Sequence, residues 1–132
     1  MKKQGILNSH IAKVLADLGH TDTIVVGDVG LPVPPGVLKI DLAIKHGQPS
    51  FRDVVDAIAE DMVVEKVIVA EEIHAANAET LQYIHNRFQH CDIDACPHEE
   101  LKQQMATAKA VIRTGEAKPY ANCILQAGVH FG

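Results

Sequence analysis

The stretch Lys66-Val67-Ile68-Val69-Ala70 decides the fold class, because its apolar run from Val67 to Ala70 makes it the clearest strand pattern in the chain. An amphipathic helical pattern precedes it at 51–62, with Asp53 and Asp56 near the positive end of the helix dipole. A second helical pattern follows it at 77–88. A strand between two helices predicts an α/β fold in which helices cover a largely parallel sheet.

The rest of the chain continues this alternation. Further helices are predicted at 6–18 and 98–108, and further strands at 23–26, 37–43, 92–96, 110–113 and 123–126. Only Thr114 to Asn122 joins the last two strands, without a helix, so we expect that pair to be antiparallel and the sheet to be mixed. We therefore predict a single domain, residues 1–132, with three α/β/α layers around a mixed, mostly parallel sheet of about six strands.

Composition argues against several kinds of partner. The chain is 47% hydrophobic and 22% charged, as in ordinary globular proteins, and its formal net charge of −5 argues against nucleic acid, which needs a basic face. Its apolar runs are too short to cross a bilayer, and Asn8, Ser9 and His10 interrupt any signal-like segment. We expect a cytoplasmic protein that binds neither nucleic acid nor a membrane.

The cysteines agree with a reducing compartment. Cys91, Cys96 and Cys123 are odd in number and form no CxxC pair, so we predict reduced, buried structural thiols. The histidines show no ligand spacing, and Lys102 stands where a zinc-binding HExxH motif would need its second histidine. We therefore predict no metal.

Two side chains flank the first strand. His20, just past the first helix, feels the negative end of the helix dipole, which favours an imidazolium able to donate a proton. Asp28 directly follows the strand, where open α/β sheets place ligands, so it can hold a hydroxyl or act as a base. The alternatives are an exposed loop histidine and a turn aspartate bonded to its own backbone.

Further polar candidates lie in the second half of the chain. His98 opens a helix, whose positive end favours a neutral ring that can donate or accept a hydrogen bond. Tyr120 and Asn122 offer a flat ring, a hydroxyl and an amide, which suit a polyhydroxylated ligand. Each of them is also an ordinary turn or cap residue. Spacing alone therefore predicts a polar site of unknown chemistry.

Several motifs together resemble those of the D-ribose pyranase family, which is related to the fucose mutarotases. They are Leu7-Asn8-Ser9-His10, Leu18-Gly19-His20-Thr21-Asp22, Asp28-Val29-Gly30-Leu31-Pro32-Val33-Pro34, Ile112-Arg113-Thr114-Gly115-Glu116 and the closing run from Pro119 to Val129. The loop after Asp28 and Ala121 favour the ribose branch over the fucose branch. One departure is Gly27 and Val29, which flank Asp28 where the family would have alanines.

The resemblance implies an isomerase that interconverts the pyranose and furanose forms of free D-ribose by acid–base ring opening and reclosure, without a cofactor. It implies that His20 is the catalytic proton donor, and that Asp28, His98, Tyr120 and Asn122, with the backbone around Ala121, bind ribose. Lys102, one helical turn beyond His98, is a further candidate contact. The furanose form would then be the substrate for ribose phosphorylation.

Geometry adds an expectation about assembly. His20 and Asp28 are eight residues apart with a strand between them, a separation of up to roughly 26 Å when extended. We therefore expect a ribose site completed at a subunit interface, and the resemblance implies a homo-oligomer, a decamer of two pentamers.

Two alternative functions remain at this point. One is a mutarotase for another sugar such as fucose, and the other is a non-catalytic ribose-binding accessory of a transporter.

Overall fold

The computed structural model describes residues 1–132, which form one six-stranded sheet with helices on both faces. The strands are β1 (Thr23–Gly27), β2 (Leu38–Asp41), β3 (Val64–Ala70), β4 (Asp92–Cys96), β5 (Ala110–Arg113) and β6 (Cys123–Ala127). The helices are α1 (Ser9–Asp17), α2 (Phe51–Asp61), α3 (Ile73–Ala76), α4 (Ala78–Arg87) and α5 (His98–Gln104), and a 3-10 turn at Met105–Thr107 extends α5.

The sheet is mixed because a single strand runs against the others. Its strand order is β2-β5-β1-β6-β3-β4, and β6 is antiparallel to both of its neighbours, β1 and β3, whereas every other pair is parallel. The predicted α/β class with a mixed, mostly parallel sheet of about six strands is confirmed. The last two strands do run in opposite directions, but they do not pair, since β1 lies between them.

Alternating residues of β1, one of the two central strands, face two separate apolar layers. Ile24 and Val26 belong to a large cluster that includes residues of α1, α2 and α4, among them the fully buried Ile58 and Ile84. Val25 points to the opposite face and joins a smaller cluster that contains Leu101 of α5. Both faces of the sheet are therefore covered, which gives the predicted three layers.

Element boundaries differ from the predicted ones where local hydrogen bonds decide them. Helix α1 begins only at Ser9, because the side chain of Asn8 caps it by accepting the Ile11 N–H at 3.0 Å. Helix α5 ends at Gln104, where the 3-10 turn begins, before the predicted end at 108. The short helix α3 was not predicted, since four residues are too few to show a helical period.

The prediction of buried thiols is right for one cysteine. Cys123 is fully buried in β6, and burial raises its thiol pKa to about 12. Cys91 and Cys96 are only half-buried, because Cys91 precedes and Cys96 ends the edge strand β4, and burial also raises their thiol pKa values. None of the helices combines the length and the apolar character needed to span a membrane.

Candidate functional site

The predicted site residues lie at two opposite edges of the sheet. Strand β1 runs from Thr23 to Gly27, so His20 precedes it at what we call the amino edge and Asp28 follows it at the carboxyl edge. Strand β6 runs the other way, with Cys123 opposite Val26, so Asn122 lies at the carboxyl edge beside Asp28. The five residues of β1 alone separate the two edges by about 13 Å.

At the carboxyl edge, Asp28 and Asn122 bind each other reciprocally. The backbone N–H of Asp28 donates to Asn122 Oδ1 at 2.8 Å, and Asn122 Nδ2 donates to Asp28 Oδ2 at 3.1 Å. The other carboxylate oxygen, Asp28 Oδ1, accepts the Gly30 N–H at 2.9 Å. Asn122 is only 1% exposed, whereas Asp28 is half-buried. The pair is therefore a fixed polar platform with the carboxylate on its accessible side.

The departure at Gly27 follows from the close packing of this platform. A Cβ on Gly27 would lie 2.5 Å from Leu31 Cδ2 and 3.1 Å from Asn122 Oδ1. Leu31 is buried against this position, so glycine is the residue that leaves room for both neighbours.

Tyr120 joins the platform through a strained turn. Its φ of 56° is in the left-handed region, which is unfavourable for an aromatic residue, and its carbonyl accepts the Asn122 N–H at 2.8 Å. The Tyr120 ring contacts the His98 ring edge-to-face, with centroids 5.2 Å apart. Ala121, between Tyr120 and Asn122 in the chain, is fully buried in the core, its backbone included.

His98 is held by its backbone and has one buried, unpaired ring nitrogen. Its N–H donates to both carboxylate oxygens of Glu72, at 3.0 and 3.1 Å. Its Nδ1 is buried and has no hydrogen-bond partner within the chain, which is uncommon for a buried polar atom. Lys102 lies on the next turn of α5 and pairs with Glu99 at 2.8 Å, which lowers the pKa of that carboxyl.

The motif after β5 holds the loop that carries Asp28. Thr114, fully buried, donates its hydroxyl to the Gly27 carbonyl at 2.8 Å and accepts the Glu116 N–H at 3.1 Å. The Glu116 carbonyl accepts the Val29 N–H at 2.9 Å, and Arg113 Nε donates to the Val29 carbonyl at 3.0 Å. These residues act as a support for the loop rather than as ligand contacts.

At the amino edge, His20 contacts a carboxylate. Its Nε2 lies 2.9 Å from Glu65 Oε2, and Gln126 Nε2 donates to Glu65 Oε1 at 2.8 Å. These two hydrogen bonds, that from Gln126 first, lower the pKa of Glu65. The His20 side chain remains 52% exposed, so it faces outward from the chain.

The structure thus brings together Asp28, His98, Tyr120 and Asn122 but leaves His20 at the other edge. Two clefts, of about 620 and 320 Å³, lie away from these four residues; Asp61 is among the residues lining one, and Asp22, of the turn that carries His20, is among those lining the other. No group of three or more His, Cys, Asp or Glu side chains is arranged to hold a metal ion. We therefore define the candidate binding group by the hydrogen bonds among its members.

Sequence reasoning missed three residues that support this arrangement. They are Glu65 beside His20, Glu72 beneath His98, and Asn77, whose Nδ2 donates to the Pro119 carbonyl at 2.9 Å ahead of Tyr120. Asn77 is buried at 7% exposure and also caps α4, which begins at Ala78 rather than at the predicted position 77. No local signal marks Glu65 or Glu72, because their partners are 45 and 26 residues away.

Comparison with known sequences gives full-length matches. The chain is 62% identical to the D-ribose pyranase of Bacillus subtilis, over 99% of this chain and 100% of that protein. It is 63% identical to the D-ribose pyranase of Bacillus licheniformis, with the same coverage, and 54% identical to that of an Exiguobacterium species. These relatives span the whole chain, so the similarity is not confined to one motif.

Solved structures agree. The Bacillus subtilis RbsD structure complexed with D-ribose superposes with a TM-score of 0.97 at 62% identity, covering 99% of this chain and 100% of that one. A fucose mutarotase from Streptococcus pneumoniae, complexed with L-fucose, superposes with a TM-score of 0.74 at 21% identity, covering 94% of both chains, and so shares the fold. The model of the RbsD / FucU transport protein family matches residues 1–130. The resemblance read from the motifs is confirmed, and the chain belongs to the RbsD / FucU transport protein family.

Proposed function

We propose that this chain is a D-ribose pyranase, an isomerase that interconverts the pyranose and furanose forms of free D-ribose. The observation that carries the proposal is the full-length similarity to proteins of that name, at more than half of all positions. The carboxyl edge offers the chemistry that the reaction needs, namely fixed donors and acceptors beside an accessible carboxylate.

The reaction requires proton transfers at two oxygens. Opening the pyranose breaks the bond between C1 and the ring oxygen, and the electron pair stays on that oxygen, which takes a proton from His20. The anomeric hydroxyl loses its proton to Asp28 or to water, and a carbonyl forms at C1. After the chain rotates, a different hydroxyl adds to C1 and gives its proton to His20, while the carbonyl oxygen takes back the proton held by Asp28 or water, so no net proton is consumed.

Ribose binding is assigned to the residues of the carboxyl edge. Asp28 and Asn122 offer carboxylate and amide groups that are already oriented, and a pre-oriented site loses less entropy on binding. Tyr120 provides a ring face and a hydroxyl. The Nδ1 of His98 and the backbone around Ala121 are buried within one chain, so a sugar hydroxyl can reach them only after a local movement of these residues. Lys102 is a further contact only if it leaves Glu99.

The separation of His20 from these residues supports a site shared between subunits. In one chain the sheet lies between the proton donor and the binding residues, so we propose that His20 of one subunit faces the carboxyl edge of another. A closed ring of subunits satisfies this head-to-tail arrangement. We propose a decamer of two pentamers, which would have a mass of about 140 kDa from ten chains of 14.3 kDa, measurable by sedimentation.

We also place the protein in the cytoplasm, where its furanose product would feed ribose phosphorylation. The half-buried, unpaired Cys91 and Cys96 are compatible with a reducing compartment. Neither nucleic acid nor a membrane is expected as a partner, because the net charge of −5 disfavours nucleic acid and the apolar runs are too short to cross a bilayer.

The direct test is NMR exchange between ribose pyranose and furanose with the wild type and with His20→Ala. We expect acceleration by the wild type and a loss of about 10²–10⁴-fold in the variant, because the proton donor is removed. His85→Ala, which removes an exposed histidine on α4, is the matched control and should match the wild type. Ribose binding without acceleration by the wild type would instead identify a non-catalytic accessory, and acceleration for fucose alone would identify a mutarotase for that sugar.

The shared site has its own test in mixed oligomers. His20→Ala and Asp28→Asn are each expected to be inactive alone, whereas co-expressed chains should form some sites with both native groups. Random assembly places a native His20 beside a native Asp28 in about a quarter of the sites. Activity near that fraction supports the interface, and no recovery in confirmed mixed oligomers would show that one chain supplies both groups.

A further inference from the structure

We propose that Glu65 is the positioning residue for His20: its carboxylate accepts the Nε2–H of His20 and so reserves Nδ1 for proton exchange with the sugar. The inference rests on the proposed function, because it assigns His20 the role of proton donor. It adds a residue from a different strand and a definite tautomer to that role.

The contacts divide the two carboxylate oxygens of Glu65 between two partners. Oε1 accepts from Gln126 Nε2 at 2.8 Å, and Oε2 lies 2.9 Å from His20 Nε2. Gln126 pairs with Thr23 on one side and with Lys66 on the other, so it stands in the sheet between the His20 turn and Glu65. A carboxylate fixed at one oxygen presents the other in a defined direction.

The backbone of β3 is irregular where Glu65 stands. The register of β3 against β6 shifts between Val64 and Lys66, so Glu65 occupies the irregularity. Irregularities of this kind re-aim a side chain and are frequent beside active sites. Gly128 follows β6 and packs closely here, since a Cβ on it would lie 3.4 Å from Glu65 Cβ and 3.0 Å from Val63 Cγ1. The local backbone thus makes room for Glu65 at this edge.

The turn that carries His20 is also held in place. Thr21 has a φ of 73°, a left-handed conformation that is unfavourable for a β-branched residue, and its N–H donates to the Ala127 carbonyl at 2.9 Å. Asp22 Oδ2 accepts the Gly19 N–H at 2.8 Å and closes the turn. The backbone fixes where His20 stands, and Glu65 fixes which way its ring points.

The charge state of Glu65 assigns the hydrogen in this contact. Hydrogen bonds from Gln126 and His20 lower the pKa of Glu65, so the carboxylate is ionised near neutral pH and can only accept. The hydrogen between the two groups therefore belongs to His20 Nε2. In both its charged and its neutral form His20 keeps that hydrogen, and Nδ1 is the nitrogen that gains and loses a proton.

The test compares Glu65→Gln with the wild type by ¹⁵N NMR of the imidazole of His20 and by ribose exchange kinetics. The neutral wild-type ring should carry its hydrogen on Nε2. In the variant, the new amide oxygen accepts from Gln126 and its N–H₂ turns towards His20, so the hydrogen should move to Nδ1. We expect kcat to fall by about tenfold to a hundredfold, within the range of general acid–base catalysis, with KM changed less than about twofold.

Two further variants separate positioning from a general effect of charge or folding. Glu65→Asp keeps the carboxylate and should restore the Nε2–H form and at least part of kcat. Glu60→Gln removes a charge from an exposed site on α2 and should change neither quantity.

The possible failures are distinguishable. A neutral wild-type ring protonated at Nδ1, or Glu65→Gln with unchanged tautomer and kcat, would overturn the role of Glu65. A wild type that does not accelerate ribose exchange would overturn the proposed function, while the tautomer measurement would still decide the Glu65 contact. If Glu65→Gln does not fold, the wild-type tautomer and Glu65→Asp still decide it.

Discussion

The two edges of the sheet are built in opposite ways. At the carboxyl edge, Asn122 and Thr114 are 1% and 0% exposed, and their hydrogen bonds fix the position of Asp28. At the amino edge, the His20 side chain is 52% exposed and contacts one carboxylate. A group that binds gains from being fixed in advance, whereas a group that exchanges protons must reach another molecule. The chain thus fixes the proposed binding residues in place and directs His20, the proposed proton donor, outward.

The direction of the strands explains this difference. The loops after parallel strands collect at one edge, and β6 delivers Asn122 there because it runs in the opposite direction. His20 lies before β1, at the edge where β3 begins and β6 ends, and its ring contacts Glu65 near the start of β3. Substitutions at the carboxyl edge should therefore change stability and binding together, and those at the amino edge should change the rate alone.

The largest stability effect is expected for Asn122→Ala. The change leaves the Asp28 N–H unpaired and removes the donor to Asp28 Oδ2, which should cost about 1–3 kcal/mol of unfolding free energy and weaken ribose binding. Urea unfolding and ribose titration measure both quantities. The control Asn86→Ala, at an exposed position on α4, should keep an unfolding free energy within about 0.5 kcal/mol of the wild type. Equal losses of stability in the two variants would show that the hydrogen bonds of Asn122 do not stabilise the carboxyl edge.

A somewhat smaller effect is expected for Thr114→Val. Valine keeps the shape but loses the bond to the Gly27 carbonyl and leaves the Glu116 N–H without its partner, a cost of about 1–2 kcal/mol. Thermal unfolding should show the loss, and Thr107→Val, whose hydroxyl is exposed, should show almost none. An unchanged stability for Thr114→Val would mean that this motif does not support the Asp28 loop.

Gly27→Ala should cost about 1 kcal/mol, because the new Cβ presses on Leu31 and on Asn122 Oδ1. Leu31 can shift, which limits the cost, but any movement of Asn122 should weaken ribose binding. The double variant Gly27→Ala/Leu31→Val should be more stable than the sum of the single changes predicts. Strict additivity would show that the two positions do not compete for space.

The smallest stability effect is expected for His20→Ala, within about 0.5 kcal/mol of the wild type, although its effect on the rate is the largest. An exposed side chain with one partner contributes little to folding. Chemical denaturation of the purified variant checks this. A loss above about 2 kcal/mol of unfolding free energy would show that the amino edge contributes as much to stability as the carboxyl edge.

Sequence patterns predicted most of the secondary structure, because helices and strands depend on residues that are close together in the chain. The strand pattern Lys66–Ala70 and the alternation of helices and strands predicted the α/β class, and β4 and β5 match their predicted bounds. The motifs also placed Asp28 and Asn122 in one binding group, which the structure joins at 3.1 Å. The spacing of His20 and Asp28 around one strand correctly predicted that they lie apart.

Only the tertiary structure decided the position of β6 and the contacts that depend on it. A short link suggested that β5 and β6 pair. Instead, β6 lies between β1 and β3 and forms an antiparallel ladder with each of them. That insertion brings Gln126 to Glu65 and Asn122 to Asp28, across 61 and 94 residues. The sequence by itself determined the helices, the strands and the chemical groups they carry, because secondary structure depends on neighbouring residues. Only the tertiary structure decided which groups meet, because the order of the strands depends on how the whole sheet buries its apolar faces.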